Sequence, residues 1–247
     1  ASHLLLDFTN SYGVRPFLPF SGRWIAWDVM YVFDPILLLA LLGGLILPAL
    51  FRLISEEVGA KKSERRWGAV AALVFLIAWW GLRDVAHRRA LEMLEAQSSY
   101  GPETVISRGV FPSPANPFFW NGIVETPSAF YSVPLNLLGS GFTDTLRVFR
   151  KRPPQGKLIP VFAAAEKTQT FQIFSDFARY PWSVGFNDPE GFKVEVRDLR
   201  FLPATRDRQG FIITIELDRN LAVVREEFAF DAQSLPSMGG SRRRWIR

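Results

Sequence analysis

The feature that most constrains this chain is an apolar run, residues 36–51, that contains no charged residue. A helix of about 20 residues crosses the roughly 30 Å hydrocarbon core of a bilayer. We therefore predict a first membrane helix over residues 35–54, with Pro35 in its first turn, where a missing N–H costs little. A buried soluble hairpin is the less favoured alternative, because this helix is apolar on every face.

A second helix is predicted over residues 67–96. Its apolar part, residues 67–82, is short for a membrane span, but Trp79 and Trp80 are typical of a membrane–water interface. Beyond them the helix continues amphipathically past Arg83 and Arg88. The N-terminal part is therefore predicted to be membrane-helical, with two apolar helices whose direct partner is the lipid bilayer.

The connector between these helices concentrates its cations, Lys61, Lys62, Arg65 and Arg66, in one short segment. The Lys and Arg counts on the two sides tie, so the positive-inside rule alone leaves the orientation open. The clustered charge favours a cytoplasmic connector. The C-terminal domain is then extracytoplasmic.

Beyond residue 98 the pattern changes to short alternating segments, which predict an α+β domain with a mainly antiparallel sheet. The predicted domains are residues 1–97, 98–235 and a basic, disordered tail over 236–247. Strands are predicted at residues 118–125, 129–133, 143–150, 192–201, 211–218 and 222–230, with one helix over 159–179. The alternation in residues 192–201 has one break in register.

Composition excludes several chemistries. The chain has no cysteine, which rules out a disulfide framework, a thiolate zinc site and a cysteine nucleophile. Its net charge of +5 comes largely from cation clusters beside apolar helices and at the C-terminus. Such clusters usually face anionic headgroups. Nucleic-acid binding is not expected, because no interleaved aromatic and basic pattern accompanies them.

The loop over residues 9–23 separates the first apolar residues from the first membrane helix. Asn10, Gly13, Pro16 and Pro19 exclude a regular helix there. Aromatic residues are frequent in and after this loop, as is typical of a membrane–water interface; they are Phe17, Phe20, Trp24 and Trp27.

His3 and Asp7 are the sharpest candidates for chemistry. Four residues apart on a helix, an imidazole and a carboxylate lie on one face, where they can ligate one metal or where the carboxylate can orient the imidazole. Ionisable groups in an apolar helix are costly and often functional. On spacing alone, a helix-end histidine with a local aspartate cap is the favoured alternative.

Asp28 and Asp34 lie near the membrane boundary, and either is a candidate catalytic carboxylate or metal ligand. Asp34 also fits an N-cap before Pro35. His87, the second of two histidines, is a further metal candidate, with a simple interfacial residue as the alternative. With two histidines and no cysteine, a metal site requires several carboxylates.

Several of these segments together resemble a known family. HLLLDFTNSYG at residues 3–13, FLPFS at 17–21, WD at 27–28, FDP at 33–35, Arg83 and HRRA at 87–90 resemble the bacterial membrane-bound metal-dependent hydrolases, the YdjM-like or LexA-binding inner-membrane family. NPF at 116–118, VET at 124–126 and DLRF at 198–201 resemble an extra C-terminal domain of some members.

The resemblance implies a bacterial inner-membrane enzyme with a divalent metal, zinc or manganese, that hydrolyses a phosphate ester or lipid-like substrate. His3 and Asp7 are then metal ligands, and Asp28 or Asp34 supporting groups. The family's upstream helices are absent from this sequence, and the chain opens as if within a helix, so we expect a piece of a longer protein. The alternative is a non-catalytic, membrane-anchored extracytoplasmic binding or scaffold domain.

Overall fold

A computed structural model describes residues 2–58, 66–97, 103–114, 116–139, 141–142, 146–151, 155–202 and 210–231. The chain divides into two compact units. The first comprises Ala1–Met93, Val110–Trp120 and Leu135–Gly141, and the second comprises Leu94–Gly109, Asn121–Pro134 and Phe142–Arg247. The domain division near residue 97 stays a prediction, and the predicted tail, residues 236–247, lies outside the described residues.

The N-terminal part is helical, as predicted. It contains α1 (Ser2–Thr9), α2 (Pro35–Val58) and α3 (Arg66–Ala96). Within the described residues, one helix, Trp67–Ala96, is long and apolar enough to cross a membrane, and only 17% of its most apolar window is buried. The apolar part of α2, Pro35–Leu50, is shorter. The prediction of two membrane helices is therefore confirmed only in part: α3 has the length and apolar composition of a membrane span, and the apolar part of α2 is shorter.

Small residues bring α2 and α3 into close contact. A Cβ added to Gly44 would lie 2.7 Å from the Ala72 Cβ and 3.0 Å from the Gly68 carbonyl oxygen. A Cβ added to Gly68 would overlap the Pro48 ring and lie 2.5 Å from the Gly44 carbonyl oxygen. Glycine is required at this crossing because the two backbones approach too closely for any side chain.

The first sheet has five strands. They are β1 (Ser107–Pro112), β2 (Phe119–Glu125), β3 (Ala129–Asn136), β4 (Gly141–Phe142) and β5 (Arg147–Arg150). The order is β1-β2-β3-β4, and β5 pairs antiparallel with β3, with Ala129 opposite Arg150. The sequence missed β1, which contains glycine and ends at a proline. Residues 143–145 of the predicted strand 143–150 lie outside the described part of the chain.

The second sheet, within the second unit, is a meander of four antiparallel strands. They are β6 (Pro181–Asp188), β7 (Gly191–Asp198), β8 (Gly210–Leu217) and β9 (Val223–Asp231), in sequence order. Two helices, α4 (Leu158–Ala165) and α5 (Gln169–Phe177), cover one face. The core between them is apolar, and it contains Val161, Phe162, Ala165, Phe174, Val194, Val196, Ile213, Ile215 and Leu217.

The single helix predicted over residues 159–179 is wrong, because two helices occupy that segment. α4 ends at Ala165, and Thr168 begins α5 as its N-cap, with Oγ1 accepting a hydrogen bond from the Phe171 N–H at 3.2 Å. A threonine oxygen that accepts an N–H of the first turn stabilises a new helix start. The predicted strand 192–201 also ends early, since Leu199–Phe201 form a 3-10 turn.

Candidate functional site

His3 and Asp7 contact each other on α1, as their spacing predicts. The His3 Nε2 lies 3.3 Å from the Asp7 Oδ2, with 88% of the His3 side chain and 36% of the Asp7 side chain exposed. The three leucines between them are also exposed. The pair is therefore an accessible imidazole–carboxylate couple on an otherwise apolar helix.

The backbone after the loop returns along the end of α1 and brings Asp28 there. The Phe8 carbonyl accepts a hydrogen bond from the Trp27 N–H at 2.8 Å, and the Thr9 carbonyl accepts from Val29 at 3.1 Å and from Met30 at 2.9 Å. Asp28 lies between these contacts with φ 60°. Non-glycine residues rarely adopt this left-handed conformation, although aspartate does so more readily than most. The backbone of Asp28 is thus held beside the C-terminal end of α1.

Asp28, Asp84 and His87 form what we call the His87 cluster. Both carboxylates interact electrostatically with the His87 imidazole, which also hydrogen-bonds to the Val110 backbone. The centroid of that ring lies 5.4 Å from the Trp120 ring. The structure therefore places two of the predicted site residues, Asp28 and His87, in one polar cluster.

Asp84 is the anchor of this cluster, and sequence reasoning did not single it out. Its Oδ1 accepts a hydrogen bond from the Trp27 indole N–H at 2.9 Å, and its Oδ2 lies 2.7 Å from the Arg88 guanidinium. The carboxylate thus joins the loop to α3. Asp84 and Arg88 are four residues apart, and the sequence itself shows this helical spacing of opposite charges, which predicts their contact.

Asp34 adopts the N-cap geometry that was its alternative interpretation. Its Oδ1 accepts hydrogen bonds from the Ile36 and Leu37 N–H groups, each at 3.0 Å, and its Oδ2 accepts one from the Trp79 indole at 3.3 Å. The residue is 6% exposed. The catalytic role predicted for Asp34 stays a prediction, and its burial makes Asp28 the better placed of the two carboxylates.

Arg83 is the buried polar residue that sequence reasoning left out of the site. It is fully buried, and its guanidinium donates hydrogen bonds to three backbone carbonyls, of Val29 at 2.9 Å, Asn116 at 3.0 Å and Ser113 at 3.4 Å. It also lies 4.9 Å from the centre of the Trp120 ring, a cation–π distance. An arginine within an apolar helix is the sequence signal that indicates such a role.

The chemistry of His3 and Asp7 can be compared with that of a metal site. An imidazole nitrogen and a carboxylate oxygen are ligand types for zinc and manganese, so His3 and Asp7 fit such an ion chemically. Within the described part of the chain, no three His, Asp or Glu side chains form a group that could hold a metal ion. His3 and Asp7 would supply two ligands of such a site, and the others would have to come from water or from other residues.

Many large apolar side chains of α2 and α3 are exposed, and α3 is long and apolar enough to cross a membrane. Residues 1–90 of the 247 match the family described as YdjM inner membrane protein, so this part of the chain is similar to that family. The match confirms the resemblance seen in the sequence and supports the inner membrane as its location. The chain has no significant match among curated proteins or solved structures.

Proposed function

We propose that the protein is a membrane-bound hydrolase that uses a divalent metal, zinc or manganese, to act on a phosphate ester or a lipid-like substrate. The observation that carries the proposal is the contact between His3 Nε2 and Asp7 Oδ2, 3.3 Å apart on an accessible face of α1. Two ligand groups of different type are already adjacent there, and Asp28 lies at the end of the same helix. The YdjM match supports the membrane location.

Each residue has a distinct task in this proposal. His3 and Asp7 bind the ion, which polarises the ester and acidifies water when bound. Asp28 is the general base and takes a proton from the attacking water. The water oxygen bonds to the phosphorus or carbonyl carbon, the ester bond to the leaving oxygen breaks, and that oxygen gains a proton. The His87 imidazole, which interacts electrostatically with Asp28, is a polar neighbour of this base.

The experiment combines metal content with turnover. The full natural chain, purified in detergent, is analysed for bound metal and assayed with a chromogenic phosphate ester. We expect His3→Ala and Asp7→Asn to lose both metal and turnover. Asp28→Asn should retain the metal and lose about 100-fold or more in turnover, the scale of general-base catalysis.

The matched control is Asp188→Asn, which removes an exposed carboxylate at the end of β6. It should leave metal content and turnover unchanged. A His3→Ala protein that binds metal and hydrolyses the ester normally would overturn the proposal. Loss of activity in the control would mean that the assay reports general destabilisation.

The second candidate is a non-catalytic, membrane-anchored binding or scaffold domain. The observation that favours it is in the second unit, where the buried carboxylates Glu195 and Asp198 are both engaged in ion pairs with neighbouring cations. Carboxylates that are paired in this way do not supply a reactive group. Metal-free protein that folds normally and turns over no ester would select this candidate.

We also propose that the C-terminal part is extracytoplasmic. The cation-rich segment between α2 and α3 favours the cytoplasmic side. A single cysteine at Glu190, in the exposed turn after β6, should then react with a membrane-impermeant maleimide in intact spheroplasts. Reaction only after lysis would place this part in the cytoplasm.

A further inference from the structure

The loop that follows α1 contains an exposed apolar turn, Pro16–Phe20, which we call the loop tip. Phe17 is 56% exposed, Leu18 57% and Phe20 95%. Large apolar side chains that project together into water are costly, and such a patch typically marks a contact surface. The loop tip is therefore a candidate for contact with an apolar medium.

Backbone hydrogen bonds at the base of the loop hold the loop tip in a defined conformation. Val14 and Ile25 pair as an antiparallel bridge, with N–H to carbonyl distances of 2.8 and 2.9 Å in the two directions. Gly13 has φ 78°, and a Cβ there would lie 2.7 Å from the Ile25 carbonyl oxygen. Between the two bridge residues in sequence, the Ser21 N–H donates a hydrogen bond to the Phe17 carbonyl at 2.9 Å. The three apolar side chains are thus presented together at one end of the loop.

The base of the loop packs against α2 and α3, close to the start of the apolar part of α2 and to the end of the apolar part of α3. Val29, Met30 and Trp79 form one buried cluster, against which Ile36 of α2 also packs. α2 begins at Pro35, and the apolar stretch of α3 ends near Leu82. The loop therefore leaves the helices at the level of a membrane–water boundary.

The charge of the loop is complementary to an anionic surface. Residues 8–27 contain no aspartate or glutamate, whereas Arg15 and Arg23 flank the loop tip on both sides. The Arg15 guanidinium lies 4.3 Å from the centre of the Trp24 ring. Aromatic rings and arginines together are favoured at the headgroup level of a bilayer.

From these observations we propose that the loop tip inserts into the headgroup–acyl boundary of an anionic bilayer, on the side where α2 begins. Phe17, Leu18 and Phe20 enter the apolar region, and Arg15 and Arg23 bind anionic headgroups. The N-terminal domain then has a second membrane contact beside its helices. This contact requires neither metal nor hydrolysis, so it stands or fails independently of the proposed function.

The test uses the absence of cysteine from the sequence, which makes any introduced cysteine unique. Phe20→Cys in the full chain is labelled with an environment-sensitive fluorophore and reconstituted into vesicles that contain phosphatidylglycerol. Glu190→Cys, in the exposed turn between β6 and β7, is the matched control. Leu18→Cys is a second probe of the loop tip, and the circular dichroism spectrum is measured in parallel as a check on folding.

We expect the label at position 20 to shift its emission to the blue and to be quenched by lipids with a spin label near the headgroup. The label at position 190 should be quenched by aqueous iodide. Iodide quenching at position 20 equal to that at 190 would overturn the proposal. Shielding of position 20 from both quenchers would also overturn it, because protein would then cover the loop tip.

A separate comparison tests the role of Arg15 and Arg23. Lipid quenching at position 20 should decrease in pure phosphatidylcholine vesicles and in the Arg15→Gln/Arg23→Gln variant. Equal quenching in both lipids and in both proteins would overturn the assignment of the loop tip to an anionic surface.

Discussion

The indole N–H of Trp27 donates a hydrogen bond to the Asp84 carboxylate at 2.9 Å, across 57 residues of sequence. The same ring packs on Phe8 of α1, with ring centroids 5.9 Å apart. One side chain therefore connects α1, the loop and α3. Because Asp28 is the next residue along the chain, this contact also positions the proposed general base.

Trp27→Phe should destabilise the first unit while keeping an aromatic ring at the position. A hydrogen bond to a charged group contributes about 1.5–3 kcal/mol, and the substitution removes this bond while the pair of Asp84 with Arg88 stays in place. We expect a lower apparent Tm in detergent, measured by circular dichroism. Trp67→Phe, whose parent residue is 71% exposed, is the control and should unfold like the wild type. Equal Tm values for all three proteins would contradict the anchoring role of Trp27.

Asp198 and Arg200 form a buried ion pair in the second unit, with side chains 0% and 1% exposed and 2.6 Å between Oδ2 and Nη2. Removal of one partner from such a pair leaves a buried charge and costs about 3–5 kcal/mol. Arg200→Met should therefore lower the apparent Tm by roughly 6 °C or more. Arg225→Gln breaks an exposed pair with Glu227 and should have little effect. Similar shifts in the two variants would show that burial is not the deciding factor.

Glu195 should make the stability of the second sheet depend on pH. Burial alone would raise its pKa, but hydrogen bonds and charges from Arg197 and Lys193 outweigh burial and lower the pKa below the usual 4.5. A lowered folded-state pKa stabilises the fold above pH 4.5, and this contribution is lost as the pH falls through the folded-state value. Urea unfolding of Glu195→Gln should thus show a deficit at neutral pH that shrinks as the pH is lowered below 4.5.

The control for that experiment is Glu190→Gln, in the exposed turn before β7. It should follow the wild-type dependence on pH. A Glu195→Gln deficit of the same size at neutral and acidic pH would contradict the ion-pair explanation and would indicate a packing effect.

Gly68→Ala should weaken the packing of α2 against α3. The added methyl group would collide with Pro48 and with the Gly44 backbone, and overpacking of this kind costs about 1–3 kcal/mol. Gly81→Ala is the matched control, because a Cβ at that position meets nothing within 4 Å. We expect Gly68→Ala to lower the apparent Tm in detergent and Gly81→Ala to leave it unchanged or raise it. The opposite ranking would mean that the helices do not cross at Gly68.

The elements that the sequence predicted well are those in which a local pattern decides the structure. The start of α2 at Pro35 and the extent of α3 follow from apolar composition and helix periodicity. The break in alternation after Asp198 corresponds to the 3-10 turn, which Asp198 begins by accepting the Arg200 N–H. By contrast, β6 contains proline and glycine, and its pairing with β7 rather than its own composition makes it a strand.

The contacts of the candidate site likewise fall into local ones, which the sequence predicts, and long-range ones, which it does not. The contact between His3 and Asp7 follows from the helical spacing of four residues, which the sequence displays. The partners of Arg83 and Trp27 lie 30 to 57 residues away, and those of Arg83 are backbone carbonyls that carry no residue-specific signal. Such long-range contacts are decided by tertiary packing.

The three backbone carbonyls that accept hydrogen bonds from Arg83 limit how far the chain can be truncated. Those of Ser113 and Asn116 lie beyond residue 90, where the family match ends. A protein truncated there would keep the Val29 contact but leave the two terminal nitrogens of a buried guanidinium without their carbonyl acceptors. The shortest piece that can be expected to stand alone therefore includes residues 110–120, and the evolutionary boundary is not a structural one.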